Sequence, residues 1–247
     1  LETTYLFTDA DNTLWNTDAV FAAAQLDMLH EIERITGRNA PADEDRGLAF
    51  LRNLDQRIAA AHPDYLRYPP GLLAYGLTLV LEGEEVEEAV ARVTDPGIGL
   101  GSGFEAAQAR FLDLIRRLPP LREGVREGLI AISNADISIT VVTEERVERC
   151  RQFLAGHGLE DMITDVVSVR KTTEAYLDLR RNAASARYFM VGDQIDRDIL
   201  PAAAAGYSTF YFPGGFSPYW ASELDTSKTK QIDRYDAIVS DVLAETA

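Results

Sequence analysis

Cysteine, lysine and positive charge are all scarce in this chain of 247 residues. Cys150 is the only cysteine, which excludes an intrachain disulfide and a thiolate zinc cluster. It falls in a segment of helical pattern, residues 146–154, and reads as a small apolar filler; a pairing with His157, the histidine nearest to it in sequence, is the reactive alternative. Basic residues number 24 against 40 acidic ones, a formal net charge of -16. Nucleic acids and anionic membranes bind through a basic face, so neither is an expected partner. No run approaches the ~20 consecutive apolar residues of a membrane-spanning helix. The N-terminus also lacks a basic segment followed by an apolar signal core, and the expectation is a cytoplasmic protein.

What is present is a soluble globular composition, 46% hydrophobic and 26% charged, in a chain long enough for one large α/β domain or a domain with an inserted lobe. It opens with Tyr5-Leu6-Phe7-Thr8, an aromatic and apolar run of the kind that forms a buried parallel strand, and the run stops at Asp9. From about Thr17 to Leu118 the pattern is helical. Asp18 is placed as the N-cap of a helix over 19–36, in which Leu26, Leu29 and Ile32 recur at helical spacing and which Gly37 closes. Further helices are expected over 44–61, 84–93 and 104–118, separated by breaks containing proline and glycine. After Pro119-Pro120 strands and helices alternate: a helix over 124–133, strands over 137–142, 166–169, 188–191 and 208–212, and a short alanine run at 202–205. Such alternation gives a parallel sheet with helices on both faces. The reading is therefore a core of residues 1–16 and 121–247, with an all-helical cap of residues 17–120 inserted after the first strand.

In open parallel sheets the ligand crevice lies beyond the carboxyl ends of the strands, and those ends carry polar chemistry here. Asp9 and Asp11 follow the first strand, Thr143 ends another, Lys171 lies just past a third, and Asp193, Asp196 and Asp198 follow a fourth. Any anion site in so acidic a chain has to be made locally positive by a metal, a Lys or Arg, or aimed backbone N–H groups. Lys171 stands out because Lys228 and Lys230 are the only other lysines, the remaining 21 basic residues being arginine; a compact point charge was selected there, unless it is a surface residue. Asp9-x-Asp11-x-Thr13 taken alone could be an acidic turn leading into a helix, and Thr143 could cap a helix beginning at Glu144 as well as donate to a ligand.

Taken in order, these strand ends resemble the four motifs of the haloacid dehalogenase-like superfamily: Asp-x-Asp-x-Thr, a strand-terminal Ser or Thr, a Lys, and Gly-Asp followed by a further acid. The resemblance covers residues 1–16 and 121–247, and the insertion point matches the subgroup with a helical cap after the first motif. It implies a Rossmann-like core and a Mg2+-dependent phosphohydrolase acting on a small phosphorylated metabolite. Asp9 becomes the nucleophile that forms an aspartyl-phosphate, and Asp11 the general acid and base. The implied metal ligands are Asp9, the main-chain carbonyl of Asp11, and Asp193, with Asp198 holding a metal-bound water and Asp196 the alternative to it. Asn12, Thr13, Thr143, Glu144 and Lys171 form the implied substrate contacts, the Thr143 hydroxyl and the backbone N–H groups after it cradling the phosphate.

The sequence departs from the family pattern in three ways. Asn12 replaces a glycine, although Asn tolerates a left-handed backbone. Glu144 and Glu145 stand where many relatives have Asn-Gly, and would repel phosphate unless they point outward. Thr172 replaces a common proline. Asp11 argues against dehalogenases, which lack the second acid, and the lysine-free insertion argues against phosphonatases, which use a cap lysine. A phosphomutase and a non-catalytic scaffold remain as alternatives. Arg46, Arg52, Arg67, His62 and Tyr65 of the insertion could select a leaving group or form solvated faces, and Trp15 and Trp220 could line the cleft or pack.

Overall fold

The computed structural model describes residues 3–40, 44–64, 68–95, 97, 104–180, 186–214 and 229–244. The chain divides into two compact units, Leu1–Asp18 with Leu118–Ala247, and Ala19–Arg117. The first unit is built on a parallel sheet of six strands, β1 (Thr4–Thr8), β2 (Ser138–Thr143), β3 (Asp165–Ser168), β4 (Arg187–Gly192), β5 (Ser208–Tyr211) and β6 (Thr229–Gln231), in the order β3-β2-β1-β4-β5-β6. The order reverses around β1, so the carboxyl ends of β1 and β4 flank the crevice where such sheets bind ligands.

Successive strand residues face opposite sides. Leu6, Val141, Phe189 and Val191 join one apolar layer with Val125, Leu129, Cys150, Phe153 and Tyr235. Phe7, Val142, Tyr188 and Met190 join another with Tyr176, Ala202 and Tyr207. The first layer is covered by α6 (Val125–Ser133), α7 (Val147–His157) and a C-terminal pair, a 3-10 turn Tyr235–Ile238 running into α10 (Val239–Leu243); α8 (Thr173–Leu179) and α9 (Leu200–Ala204) cover the second. With both faces buried, the strands read as near-continuous apolar runs. β6 and the C-terminal pair lie beyond the elements expected from sequence: β6 is short and polar, and it pairs only by register with Thr209–Tyr211 of β5.

The ends of the helical insertion are stitched together. Trp15 bridges Leu121 in antiparallel fashion, Asn16 N–H donates to Pro120 O at 2.8 Å, and Arg122 N–H donates to Leu14 O at 3.0 Å. This crossing fixes the loop that follows β1 on both sides.

The second unit holds α1 (Thr17–Thr36), α2 (Glu44–Ala61), α3 (Pro70–Glu82), α4 (Val86–Val93) and α5 (Glu105–Leu114). Its core joins Met28, Leu29 and Ile32 of α1 to Leu51, Leu54 and Ile58 of α2, Leu73 and Leu77 of α3, Val93 of α4 and Phe111 of α5. The proline- and glycine-containing break expected between 61 and 84 holds α3. Pro70 is instead at the first helical turn, where its missing N–H costs nothing, and Gly83 ends the helix in the left-handed region. That cap takes up residues 83–85, so α4 starts at Val86 and not at 84. α5 stops at Leu114 because the chain tightens into i to i-3 bonds at Arg116 and Arg117 ahead of Pro119-Pro120. α1 begins at Thr17, which puts Asp18 in its first turn; the Asp18 N–H is capped by Asn12 Oδ1 at 2.8 Å. Among the described residues no helix is long and apolar enough to cross a membrane.

Candidate active site

The site grows from the end of β1. Asp9 extends the strand ladder by donating its N–H to Val191 O at 2.8 Å, and its carboxylate then meets two donors. Thr13 Oγ1 donates to Asp9 Oδ2 at 2.8 Å, and Lys171 Nζ donates to Oδ1. The turn that brings Thr13 back needs a left-handed residue, and Asn12 supplies it with φ 57. Thr13 is fully buried, and its hydroxyl aims Asp9. The Asn12 side chain is likewise spent inside the protein, on the start of α1.

Beyond β4, Gly192 leads to Asp193 and then to a single π-helical turn, Ile195–Ile199. Such turns recur at functional sites because the extra residue re-aims a side chain. Here the turn tucks Asp198 under the strand end, with Gln194 N–H donating to Asp198 Oδ2 at 3.0 Å. Gly192 makes this approach passable: a Cβ there would lie 2.2 Å from the Asp198 Cβ. Asp198 is fully buried and Asp196 is exposed, which separates the two acids left open by the sequence. Lys171 Nζ also donates to Asp198 Oδ1 at 2.6 Å, so one ammonium joins the ends of β1, β3 and β4.

Electrostatics follow from burial and crowding. Burial pushes the Asp9 carboxyl up to about 7, Lys171 opposing and Asp198 adding to the rise. Burial, with Asp9 and Asp198 nearby, holds Asp193 well above the usual carboxylate range, Lys171 and Arg122 working against it. Burial opposes the charge on Lys171, but Asp198 and Asp9 hold the ammonium well above its ordinary range.

Asp9, Asp193 and Asp198 each place a carboxylate oxygen within 4.8 Å of the others. Both Asp193 oxygens are buried without a hydrogen-bond partner among the described residues. A buried carboxylate with no donor is costly, and three carboxylates at this spacing fit a hard divalent cation with oxygen ligands. Gly214 lies over this group, where a Cβ would come 2.6 Å from Asp193 Oδ2 and 2.9 Å from the Asn12 Cβ. The residues present therefore suit Mg2+.

Asp11 stands outside that acidic group. Its Oδ1 accepts from Trp15 Nε1 at 3.0 Å and from Thr17 Oγ1 at 2.7 Å. Trp15 is buried and stacks on His157, whose Nε2 meets Pro119 O at 2.9 Å. Cys150 is buried in the core with its thiol pushed up to about 12, first by burial, as a filler residue would be. Thr143 does not cap a helix at Glu144: α7 starts only at Val147, and the Thr143 hydroxyl accepts the Glu145 N–H at 3.0 Å, closing a turn. Glu144 is partly buried; it accepts the Lys171 N–H and pairs with Arg197.

Arg122 belongs to none of the strand-end motifs. Its guanidinium lies 3.4 Å from the Phe212 ring centroid and donates to Asn12 O, to Phe212 O at 3.1 Å and to Pro213 O at 2.6 Å. It thus ties the loop after β1 to the segment after β5, the two strips that bring Asn12 and Gly214 together. The signal lay in its place two residues after Pro120, where the insertion rejoins the core. In the helical unit Arg52 Nε donates to Gln25 Oε1 at 3.2 Å, Gln25 in turn donates to Asp55, Arg46 is exposed, and the ring of His62 lies 5.9 Å from that of Tyr68. Tyr65, Arg67, Trp220 and Lys228 lie outside the described residues.

The family model for haloacid dehalogenase-like hydrolases matches residues 103–212, which include Thr143, Lys171, Asp193 and Asp198 but not Asp9 or Asp11. No curated protein matches the chain in sequence. A haloacid dehalogenase-like family hydrolase from Xanthomonas campestris is similar in structure, with 19% identity, a TM-score of 0.60, and coverage of 98% of this chain and 96% of that one. YfnB from Bacillus subtilis, a candidate HAD-hydrolase solved bound to magnesium, aligns at 16% identity and TM-score 0.61 over 98% of this chain and 100% of its own. A predicted phosphoglycolate phosphatase from Haemophilus somnus aligns at 17% identity and TM-score 0.58, covering 100% and 99%. At such identities the likeness is one of fold.

Proposed function

We propose that this chain, which carries a haloacid dehalogenase-like hydrolase domain, is a Mg2+-dependent phosphohydrolase that acts on a small phosphorylated metabolite through an aspartyl-phosphate on Asp9. One observation carries the reading. A buried nucleophile candidate, Asp9, shares a lysine with Asp198, while both oxygens of the neighbouring Asp193 have no hydrogen-bond partner among the described residues. Charge of both signs at that density, out of water, suits a divalent cation and a phosphoryl group better than it suits structural stability alone. The magnesium found with YfnB supports the choice of cation.

In this mechanism the Asp9 carboxylate, aimed by Thr13, attacks phosphorus as the bond to the leaving oxygen breaks. Asp11 gives that oxygen its proton. With Oδ1 fixed by Trp15 and Thr17, Oδ2 is the oxygen that carries it. The deprotonated Asp11 then takes a proton from water, which attacks the aspartyl-phosphate, frees inorganic phosphate and restores Asp9. Lys171 and the Thr143 hydroxyl hold the phosphoryl oxygens through both steps. Asp9, Asp193 and Asp198 are the residues that would hold Mg2+, which when bound would neutralise phosphoryl charge.

The test is release of inorganic phosphate from p-nitrophenyl phosphate and a panel of phosphorylated metabolites, with Mg2+ and with EDTA. The expected result is Mg2+-dependent turnover that Asp9→Asn abolishes while keeping the folded circular-dichroism spectrum. Inactivity of the wild-type chain across the panel would sink the reading and favour a binding role for the fold.

A further inference from the structure

Glu144 and Glu145 immediately follow the Thr143 hydroxyl, where two unpaired carboxylates would oppose an anionic ligand in a chain already at -16. Each has an arginine. Glu145 Oε2 lies 3.1 Å from Arg149 Nη1, four residues on. Glu144 divides its two oxygens: Oε1 accepts the Lys171 backbone N–H at 3.1 Å, and Oε2 pairs with Arg197 Nη1 in the π-helical turn. This carboxylate thereby joins the loops after β2, β3 and β4, the first of which starts behind Thr143 while the others carry Lys171 and Asp198.

The Lys171 whose main chain Glu144 holds reaches Asp9 and Asp198 with its Nζ. The Glu144 charge consequently stands one lysine's length from the nucleophile. A carboxylate is a stronger acceptor for the Lys171 N–H than an amide would be, but it brings negative charge to the edge of a phosphate site. Arg197 answers that charge from the solvent side, its side chain half exposed against 21% for Glu144. An ion pair so exposed contributes little to stability, which leaves local charge as its physical effect.

We propose that Arg197 is a positioning residue of the phosphoryl site: it neutralises Glu144, so that this carboxylate can hold the Lys171 backbone without repelling phosphate. The inference rests on the phosphohydrolase reading, and the variants separate the two. Wild type, Arg197→Met, Glu144→Gln and the Glu144→Gln/Arg197→Met double variant are compared in Mg2+-dependent hydrolysis of p-nitrophenyl phosphate, with inorganic phosphate as competitive inhibitor.

Arg197→Met is expected to raise KM and the phosphate Ki about tenfold, the effect of one uncompensated charge near an anion, with kcat and Tm changed much less. Glu144→Gln keeps an acceptor for Lys171 and removes the charge, and its loss of affinity should be the smaller. The double variant should regain most of the affinity that Arg197→Met loses, a rescue that a purely structural role would not give. If Arg197→Met matches wild type in KM and Ki, or if the double variant is as impaired as the single one, the inference is overturned and the phosphohydrolase reading stands. If wild type neither releases phosphate nor binds it calorimetrically in the presence of Mg2+, both fall.

Discussion

Magnesium should stabilise the folded chain far more at ~pH 8 than at ~pH 6, because carboxylates that bind a cation must first release their protons. Burial raises the Asp9 carboxyl from its ordinary 3.8 to about 7, with Lys171 opposing and Asp198 adding. Without metal, the folded chain keeps a proton on Asp9 that the unfolded chain has released between those two values. The resulting contribution to stability is complete below about pH 4 and is lost as pH rises through about 7. Bound magnesium reverses the trend by replacing the proton. At ~pH 6 about nine-tenths of the metal-free chain holds that proton and at ~pH 8 about one-tenth, so this one group weakens magnesium binding about tenfold at the lower pH. Asp193, raised by burial and by its acidic neighbours, acts in the same direction. A tenfold change in affinity at saturating metal is about 1.4 kcal/mol of stability, or about 3–6 °C in Tm for a chain of this size. Thermal unfolding by fluorescence or calorimetry, with magnesium against EDTA at both pH values, reads this out, and Asp193→Asn serves as the control. Equal shifts at the two pH values, or an undiminished shift in Asp193→Asn, would refute the assignment of the metal to these carboxylates.

Two substitutions probe the same group from other directions. Lys171→Met removes the ammonium shared by Asp9 and Asp198; hydrolysis should fall at least ~10²-fold, and the metal-free chain should lose about 3–5 kcal/mol, with magnesium restoring part of the Tm but none of the activity. Turnover assays and denaturant melts check both, and an active Lys171→Met would place phosphate neutralisation elsewhere. Gly192→Ala puts a methyl group 2.2 Å from the Asp198 Cβ, so the π-helical turn must move; a loss of about 2 kcal/mol and of the magnesium-dependent Tm shift is expected. Gly158→Ala, whose Cβ would meet nothing within 4 Å but which sits at φ 63, should cost only about 1 kcal/mol and keep that shift.

The core strands were readable because a strand buried on both faces is an apolar run, and because polar residues that end such runs collect at one edge of a parallel sheet. Asp9, Lys171, Asp193 and Asp198 were therefore found one by one and are brought together by the fold. α3 was lost for a local reason. Two prolines look like a break, and the apolar run behind them, Leu72-Leu73-Ala74-Tyr75-Gly76-Leu77, has no polar face to reveal a helical period, as befits a helix buried at the centre of its unit. β6 was lost for the opposite reason: its residues are polar, and only the partner strand β5 makes them a strand.

What the sequence could not display is what each site residue is bonded to. The Asn12 side chain, the Thr13 hydroxyl and the Glu144 carboxylate all occupy the right place along the chain, yet each spends its polar atoms on the protein: on α1, on Asp9, and on Lys171 with Arg197. Arg122 lies 110 residues from the Asn12 carbonyl it holds and 90 from that of Phe212, a separation at which residue type and spacing carry no information. The same logic explains why two acids after Thr143, which look hostile to phosphate in sequence, are tolerable in the fold. Their arginines come from one helical turn on, which periodicity can suggest, and from a π-helical turn 53 residues away, which it cannot. In a chain of net charge -16 an anion site depends on such local pairing, so the arginines that answer acidic residues at its rim belong to the site as much as the acids do.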